Sequence, residues 1–343
     1  MEPALARLRR RSLTVPGMLA LATAAWLAAP LLLLGALAVD GLRGGPWPAT
    51  RLAVFGLVYL ACEALGLVAS FVLWAAGGPW RRASRARFED WNFRLQVLWA
   101  RTLFAGAKRA FGLRVGCAGL EGLGAGPALV FLRHASLADT LLPAVFLSGR
   151  LGWRLRYVLK RELLLDPCLD VVGQRLPNVF VRRGSGQSEP EIAAIRGLAQ
   201  GLGPGEGVLI YPEGTRASPE RRRRALERVA ATGDTERLAR VRALRHLLPP
   251  RSGGPLALLD AARGVDVVFG VHAGFDGVTK LGDVLSGALV GRRVELAFWR
   301  VPGDDVPADP VARLPWLDAR WAELDAWVAK RLPEMPAEPS RWT

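Results

Sequence analysis

Two long stretches without charge constrain this chain more than anything else in it. Ser12 to Val39 contains no charged residue, and its centre reads MLALATAAWLAAPLLLLGALAV. Leu52 to Trp80 is interrupted only by Glu63. Each run exceeds the roughly 20 apolar residues that cross a bilayer. The first is too long for the apolar part of a secretory signal, about 7–15 residues, and a second run comes at once after it. The expectation is a two-helix membrane hairpin over residues 1–83, with spans at about 14–39 and 52–80. Pro30 and the Gly/Pro-rich connector leave a shallow, re-entrant hairpin open. Glu63 reads either as an intramembrane functional carboxylate or as a group paired with a neighbour.

The flanks orient the hairpin. Arg7, Arg9, Arg10 and Arg11 precede the first run, and Arg81, Arg82, Arg85 and Arg87 come after the second. The positive-inside rule puts both ends, and everything after them, on the cytoplasmic side. The formal net charge of +15 is carried mostly by arginine and implies an anionic partner. Beside two apolar runs, an acidic membrane surface is a better partner than nucleic acid, for which no stacking-aromatic motif is evident. Cys62, Cys117 and Cys168 have no motif spacing and read as free thiols.

Residues 84–112 mix Trp, Phe and Leu with arginines at helical spacing. They read as one or two amphipathic helices, lying in the membrane interface or facing a core. The texture then becomes α/β. Short apolar runs at 127–133, 153–160, 176–183, 207–212, 265–273 and 293–301 read as strands. Helical patterns at 137–149, 188–202, 219–247, 255–263 and 316–332 fall between or after them. This alternation predicts a mixed, largely parallel sheet flanked by helices over residues 113–332, with a disordered tail at 333–343. The strongly basic stretch 220–251 reads as a solvated face or a lipid-headgroup contact.

Ligands of such sheets bind beyond the carboxyl ends of the strands, and three polar clusters fall there: RHASLAD, RRGSG and EGTR. In the first, residues five apart on one continuous helix diverge by about 140° and do not meet. With Ser136 as N-cap, however, His134 lies outside the helix and folds back over its first turn. Asp139 then sits at N3, where its carboxylate accepts from the ring of His134, so capping and a His/Asp pair are compatible. An imidazole oriented by a carboxylate can take a proton from a hydroxyl at neutral pH. There is no G-x-S-x-G elbow and no adjacent cysteine, which favours direct attack by a substrate hydroxyl over a covalent intermediate.

In EGTR, Gly214 permits close backbone approach, Thr215 supplies a hydroxyl and Arg216 a bidentate fork for phosphate. Lys160 and Arg183 also end strands and either complete an anion pocket or are solvated charges. No G-x-x-x-x-G-K-[ST] loop is present, and GLGPGEG precedes a strand, which argues against a nucleotide loop. His246 and His272 lack metal-ligand spacing, and His272, at the end of a strand, reads as a structural histidine before one that approaches the site.

These blocks resemble those of the glycerolipid acyltransferase family that includes the 1-acylglycerol-3-phosphate acyltransferases. RHASLAD is similar to its H-x-x-x-x-D block, VFVRRGSG to the second block and YPEGTR to the third, in the same order. YVLKRELLLDPCLDVVGQ resembles the segment between the first two blocks, and RHLLPPRSGGPLALLDAARGVDVVFGVHAGFDG resembles the long-insert branch containing lysocardiolipin acyltransferase. The resemblance implies His134 as general base with Asp139 as its partner. It implies an acceptor-phosphate site at Arg183, Glu213, Gly214, Thr215 and Arg216, with Lys160 nearby. It implies a lysophospholipid acceptor, lysophosphatidic acid before lysocardiolipin or lyso-ornithine lipid, and an acyl thioester of coenzyme A or acyl carrier protein as co-substrate. No metal or prosthetic group is expected. A catalytically silent, basic membrane-binding protein is the alternative from another class. The expected location is a membrane, the bacterial inner membrane. Arg133 stands where the family often has Asn, Arg182 departs from the second block, and the fourth block lacks its usual proline. Added arginines of this kind suit a more anionic head group.

Overall fold

The apolar runs predicted as strands are buried on both sides because helices cover both faces of the sheet they form. The computed structural model describes residues 2–77, 83–136, 138–182, 188–278 and 280–332. Its strands are β1 (Arg114–Ala118), β2 (Ala128–Leu132), β3 (Arg154–Lys160), β4 (Val179–Val181), β5 (Glu206–Ile210), β6 (Asp266–Ala273) and β7 (Arg293–Val301). They make one seven-stranded sheet in the order β1-β7-β6-β2-β5-β3-β4. From β6 to β4 all pairs are parallel; β7 runs antiparallel to β6 and parallel to β1. The expected mixed, largely parallel sheet therefore forms.

Alternate residues of the central strands feed two cores. Leu129, Phe131, Val208, Val267 and Phe269 pack with Ile195, Leu258 and Trp321 on one face. Val130, Leu132, Leu209 and Val268 pack with Phe111, Trp153 and Phe298 on the other. β1 is not among the expected strands: it lies at the sheet edge, and none of its residues is buried. The helix expected over 219–247 is two, Pro219–Ala230 and Thr235–Arg242. Gly233 takes a left-handed φ of 76° between them, and the Asp234 side chain caps the second by accepting from the Arg237 N–H.

Four helices precede the sheet: α1 (Ala4–Leu27), α2 (Ala29–Arg43), α3 (Pro48–Gly77) and α4 (Arg85–Phe111). The first apolar run is not one straight span, because α1 and α2 are bent by 67° at a break where Pro30 opens α2. α3 is long and apolar enough to cross a membrane. Residues 84–112 hold a single helix, α4, with Ser84 as N-cap and Gly112 in the left-handed region at its end. One face of α3 lies closely on α4, where a Cβ at Gly106 would come within 2.8 Å of Val58. Glu63 is wholly buried there and accepts from Trp99 Nε1 at 2.9 Å, so it is paired with a neighbour. α4 faces the core, burying Leu103 and Phe111. At the start of α1, Arg10 and Arg11 both donate to the buried carboxylate of Asp170 in the helix Pro167–Gly173. The outward faces of α1 to α3 expose Leu27, Leu31, Leu34, Leu65, Val68 and Phe71, an apolar surface of the kind a bilayer covers.

The helix Pro310–Arg331 fixes a segment that matters for the site. Asp325 accepts from the backbone N–H groups of Arg245 (2.9 Å), His246 (2.7 Å) and Leu247 (2.8 Å). Trp321 Nε1 donates to the Leu248 carbonyl at 3.0 Å. Arg237, ion-paired to Asp318 at 2.9 Å, donates to the Pro250 carbonyl at 2.7 Å. Residues 245–250 are thus held at several points. Asp325→Ala orphans three backbone donors and should cost about 2–3 kcal/mol or more. The expected result is a melting temperature lowered by at least several degrees in detergent solution; an unchanged melt would show that this anchor is dispensable.

Candidate active site

β2 ends at Leu132, and the chain leaves it as Arg133-His134-Ala135-Ser136. Successive side chains point to opposite sides there. Arg133 is buried and forms an ion pair with Asp276, while it also donates to the His272 carbonyl and, at 3.2 Å, to the His246 carbonyl. It does not line the cavity onto which His134 opens. The expectation that Arg133 adds a cation for the head group is therefore corrected: it locks the end of β2 to the loop after β6. Burial opposes the charge of Asp276, but Arg133 outweighs it and holds that carboxyl below the usual range.

His134 faces the opposite way. Its Nδ1 lies 2.9 Å from Asp139 Oδ1, and its ring stacks obliquely on Tyr211 with centroids 4.7 Å apart. Asp139 Oδ2 accepts from the N–H groups of Ala135 (2.6 Å) and Ser136 (2.7 Å). Ser136 Oγ accepts from the Ala138 N–H at 3.2 Å and donates to the Val278 carbonyl at 2.7 Å. The segment expected as helical over 137–149 is helical from residue 138 to 151 but is not a regular α-helix: it opens with a 3₁₀ turn (Ala138–Leu141) and passes through a π turn (Ala144–Ser148) before a short α turn (Gly149–Leu151). The tight first turn brings the Asp139 carboxylate back under His134.

A second imidazole reaches the same carboxylate. His272, in β6, places Nε2 3.2 Å from Asp139 Oδ2 and is fully buried. In sequence it reads as structural, and the fold puts it on the carboxylate because β6 is the neighbour of β2. Burial alone would push the Asp139 carboxyl up. Hydrogen bonds and charge from His134, then those from His272, outweigh that and hold it well below the ordinary carboxylate range.

His134 opens on a cavity of about 460 Å³ beyond the carboxyl ends of β2, β5, β3 and β4. Lys160 and Arg182, at the ends of β3 and β4, line it, as do Gly214 and Thr215 after β5. Gly214 adopts a φ of 65°, and a Cβ there would lie 2.6 Å from Arg251 Nε, so only glycine lets Arg251 lie across this turn. Arg183 lies outside the described residues. Arg216 is not on the wall; its carbonyl accepts from Arg221 at 3.2 Å. Glu213 is not on the wall either. Its carboxyl is buried behind the site, near the backbone of His134 and Leu248. Burial pushes it well above the usual range, Arg133 opposing and Asp139 adding to the rise. The phosphate-ligand role expected of Glu213 therefore has no carboxyl on the cavity wall to carry it.

Four cations outside the sequence-predicted site line the same cavity: Arg221, Arg224, Arg228 and Arg251. The first three stand three and four residues apart on the helix Pro219–Ala230, a spacing that marks one face and is open to reading in the sequence. Arg251 carries no such signal. No Asp or Glu is among the described lining residues, whereas Trp99, Leu141, Ala144, Leu163 and Leu169 give the cavity an apolar side toward α4.

Comparison with known proteins agrees with the resemblance. Residues 114–253 match the family model described as Acyltransferase. The chain is similar to 1-acyl-sn-glycerol-3-phosphate acyltransferase gamma of Mus musculus, 30% identical over 172 residues that cover 49% of this chain and 43% of that protein. The Homo sapiens protein of the same name is 28% identical over 214 residues, covering 60% and 54%. This chain thus spans about half the length of the curated relatives it matches. In fold it is similar to the crystal structure of the 1-acyl-sn-glycerophosphate (LPA) acyltransferase from Thermotoga maritima, with a TM-score of 0.52 at 15% identity over 85% of this chain and 99% of that one. With motif order, sheet and relatives in agreement, the chain contains an Acyltransferase domain over residues 114–253, similar to that of the 1-acylglycerol-3-phosphate acyltransferases.

Proposed function

We propose that this chain transfers an acyl group from a thioester to the free hydroxyl of a lysophospholipid, with lysophosphatidic acid as the acceptor and His134 as general base. One observation carries the reading: the His134–Asp139 pair sits on the wall of a cavity that is basic on one side and apolar on another. The acceptor in the relatives' name, 1-acylglycerol-3-phosphate, has those same two parts. In this reading Lys160, Thr215 and Arg251, which line the cavity, take its phosphate, and the apolar side suits acyl chains.

With Nδ1 on the carboxylate, Nε2 of His134 is the ring nitrogen left for substrate. It takes the proton as the acceptor oxygen attacks the thioester carbonyl. Asp139 stabilises the imidazolium so formed. Collapse of the tetrahedral intermediate breaks the C–S bond, and the imidazolium returns the proton to the departing thiolate. No metal or prosthetic group enters this scheme. The donor is an acyl-CoA or an acylated carrier protein. α1 to α3 insert in a membrane, with the catalytic domain on the cytoplasmic, arginine-rich side.

His134→Ala should lower kcat by about 10³-fold or more, measured with labelled acyl donor and a panel of lysolipids. Wild-type-like turnover in that variant would sink the mechanism. His272→Phe removes one hydrogen bond from Asp139 and should lower kcat about tenfold with little change in KM, whereas His272→Gln, which keeps an N–H donor, should recover part of it. Equal kcat in all three proteins would exclude a positioning role for His272.

The pH response has a definite sign. Because the Asp139 carboxyl is depressed, its ionised form stabilises the fold fully above its unfolded value near 4, and that stabilisation is lost only as pH falls through the lower folded value. Activity lost on acidification above about pH 4 therefore does not report protonation of Asp139. A kcat/KM profile in Asp139→Asn should keep an acid limb while losing amplitude by about 10²-fold or more. Disappearance of that limb would assign it to Asp139 instead.

A further inference from the structure

The run RRRR is not a uniformly solvated face. Arg221, Arg224 and Arg228 line the cavity, whereas Arg222 donates to the Arg242 carbonyl at 3.1 Å and Arg223 makes an exposed pair with Glu227 at 3.7 Å. From 221 to 228 the helix advances about 10 Å, too far for one phosphate to be ligated along its whole length. Arg224 is engaged by Glu220 at 2.6 Å, but this pair is more than 60% exposed on both sides, the kind that an incoming anion displaces.

Arg251 meets this face from the segment between the helices Thr235–Arg242 and Gly253–Ala261. Its Nε is buried with no hydrogen-bond partner among the described residues, although the residue borders the cavity. Burial, and then the charge of Arg228, hold its guanidinium below the usual arginine range. Two cations therefore face one another where no carboxylate is among the described lining residues. Such an arrangement is unfavourable in the empty protein and is relieved by a bound anion. Together with Lys160 and Arg182, six basic side chains border the cavity. A single phosphate monoester brings about two negative charges at most.

We infer that Arg221, Arg224 and Arg228 form a second phosphate subsite at the mouth of the cavity, beside the one at Lys160, Thr215 and Arg251 that takes the acceptor's own phosphate. The inference rests on the acyl-transfer reading of this cavity and adds to it a second anion. That anion has two chemical sources. The donor carries phosphates in the nucleotide end of coenzyme A or in the phosphopantetheine arm of a carrier protein. Alternatively, the acceptor is a lysolipid with two phosphates.

The test uses the full chain in detergent, with Arg224→Gln/Arg228→Gln and Arg221→Gln as variants and Arg223→Gln as the control on the outer surface. Donors are palmitoyl-CoA and palmitoyl-pantetheine, which lacks phosphate; acceptors are lysophosphatidic acid and lysocardiolipin. The expected result is a KM raised about tenfold or more in the double variant, with kcat nearly unchanged, for the substrate that bears the second phosphate. A penalty seen with palmitoyl-CoA and absent with palmitoyl-pantetheine assigns the subsite to the donor. A penalty seen with lysocardiolipin under either donor assigns it to the acceptor. A double variant whose KM values all stay within about twofold of wild type overturns the inference while leaving acyl transfer intact. Wild-type protein that acylates none of the acceptors would overturn the acyl-transfer reading instead. Equilibrium dialysis with inorganic pyrophosphate then decides the subsite without turnover: binding weakened about tenfold in the double variant supports it, and unchanged binding overturns it.

Discussion

One buried carboxylate organises the catalytic half of this molecule. Asp139 has no exposed surface, and an isolated charge in that position would cost several kcal/mol. It is tolerated because four donors converge on it: the backbone N–H groups of Ala135 and Ser136 and the rings of His134 and His272. Those donors come from two strand ends and the turn between them, so satisfying the charge also fixes their relative positions. A partly satisfied network of this kind would be worse than an apolar core, which explains why the loop is so densely bonded. Arg133, immediately before His134, reaches the loop after β6 from the other face and ties the same two ends together through Asp276. Orientation of His134 is thereby a property of the sheet, not of its own loop.

Strand order supplies the rest of the site. β2 lies between β6 and β5, so His272 approaches Asp139 from one neighbour and the turn bearing Gly214 and Thr215 approaches His134 from the other. The two motifs are 74 residues apart, from Asp139 to Glu213, yet they are adjacent because Phe131 pairs with Ile210 in the ladder. The helix Pro310–Arg331 acts at longer range. By holding residues 245–250 through Asp325, Trp321 and Asp318, it delivers Arg251 to a place where the absence of a side chain at Gly214 makes room.

How much of this is legible in the sequence depends on which interactions are local. β2, β5 and β6 announce themselves as continuous apolar runs, because burial on both faces removes the alternation. The return of Asp139 to His134 is also local, since a turn within six residues determines it. β1 is hidden because an edge strand with no buried residue has no pattern to show. The part His272 plays is hidden too, because its partner comes from the adjacent strand, and lateral order is absent from a linear chain. Arg133 reads as a site cation, although the alternation of side chains past a strand end already places it opposite His134. Glu213 reads as a phosphate ligand as part of its motif, yet its neighbours Tyr211, Pro212, Gly214 and Thr215 reach the wall and it does not.

The distribution of charge carries the functional argument furthest. Core carboxylates such as Asp139, Asp276 and Asp318 are paired with imidazole or guanidinium groups, while the described cavity wall has cations and no carboxylate. In water such an excess is screened within about 10 Å, but walls of low polarizability focus it into the cleft. The cleft thus attracts anions before any specific contact forms, and an apolar side next to it selects those that also carry a hydrocarbon chain. A basic helix written as RRRR contributes to this only through its spacing: residues three and four apart turn inward together, and the two between them are left to the surface. Composition alone shows a positive protein, whereas helical periodicity decides which of its positive charges can meet a substrate.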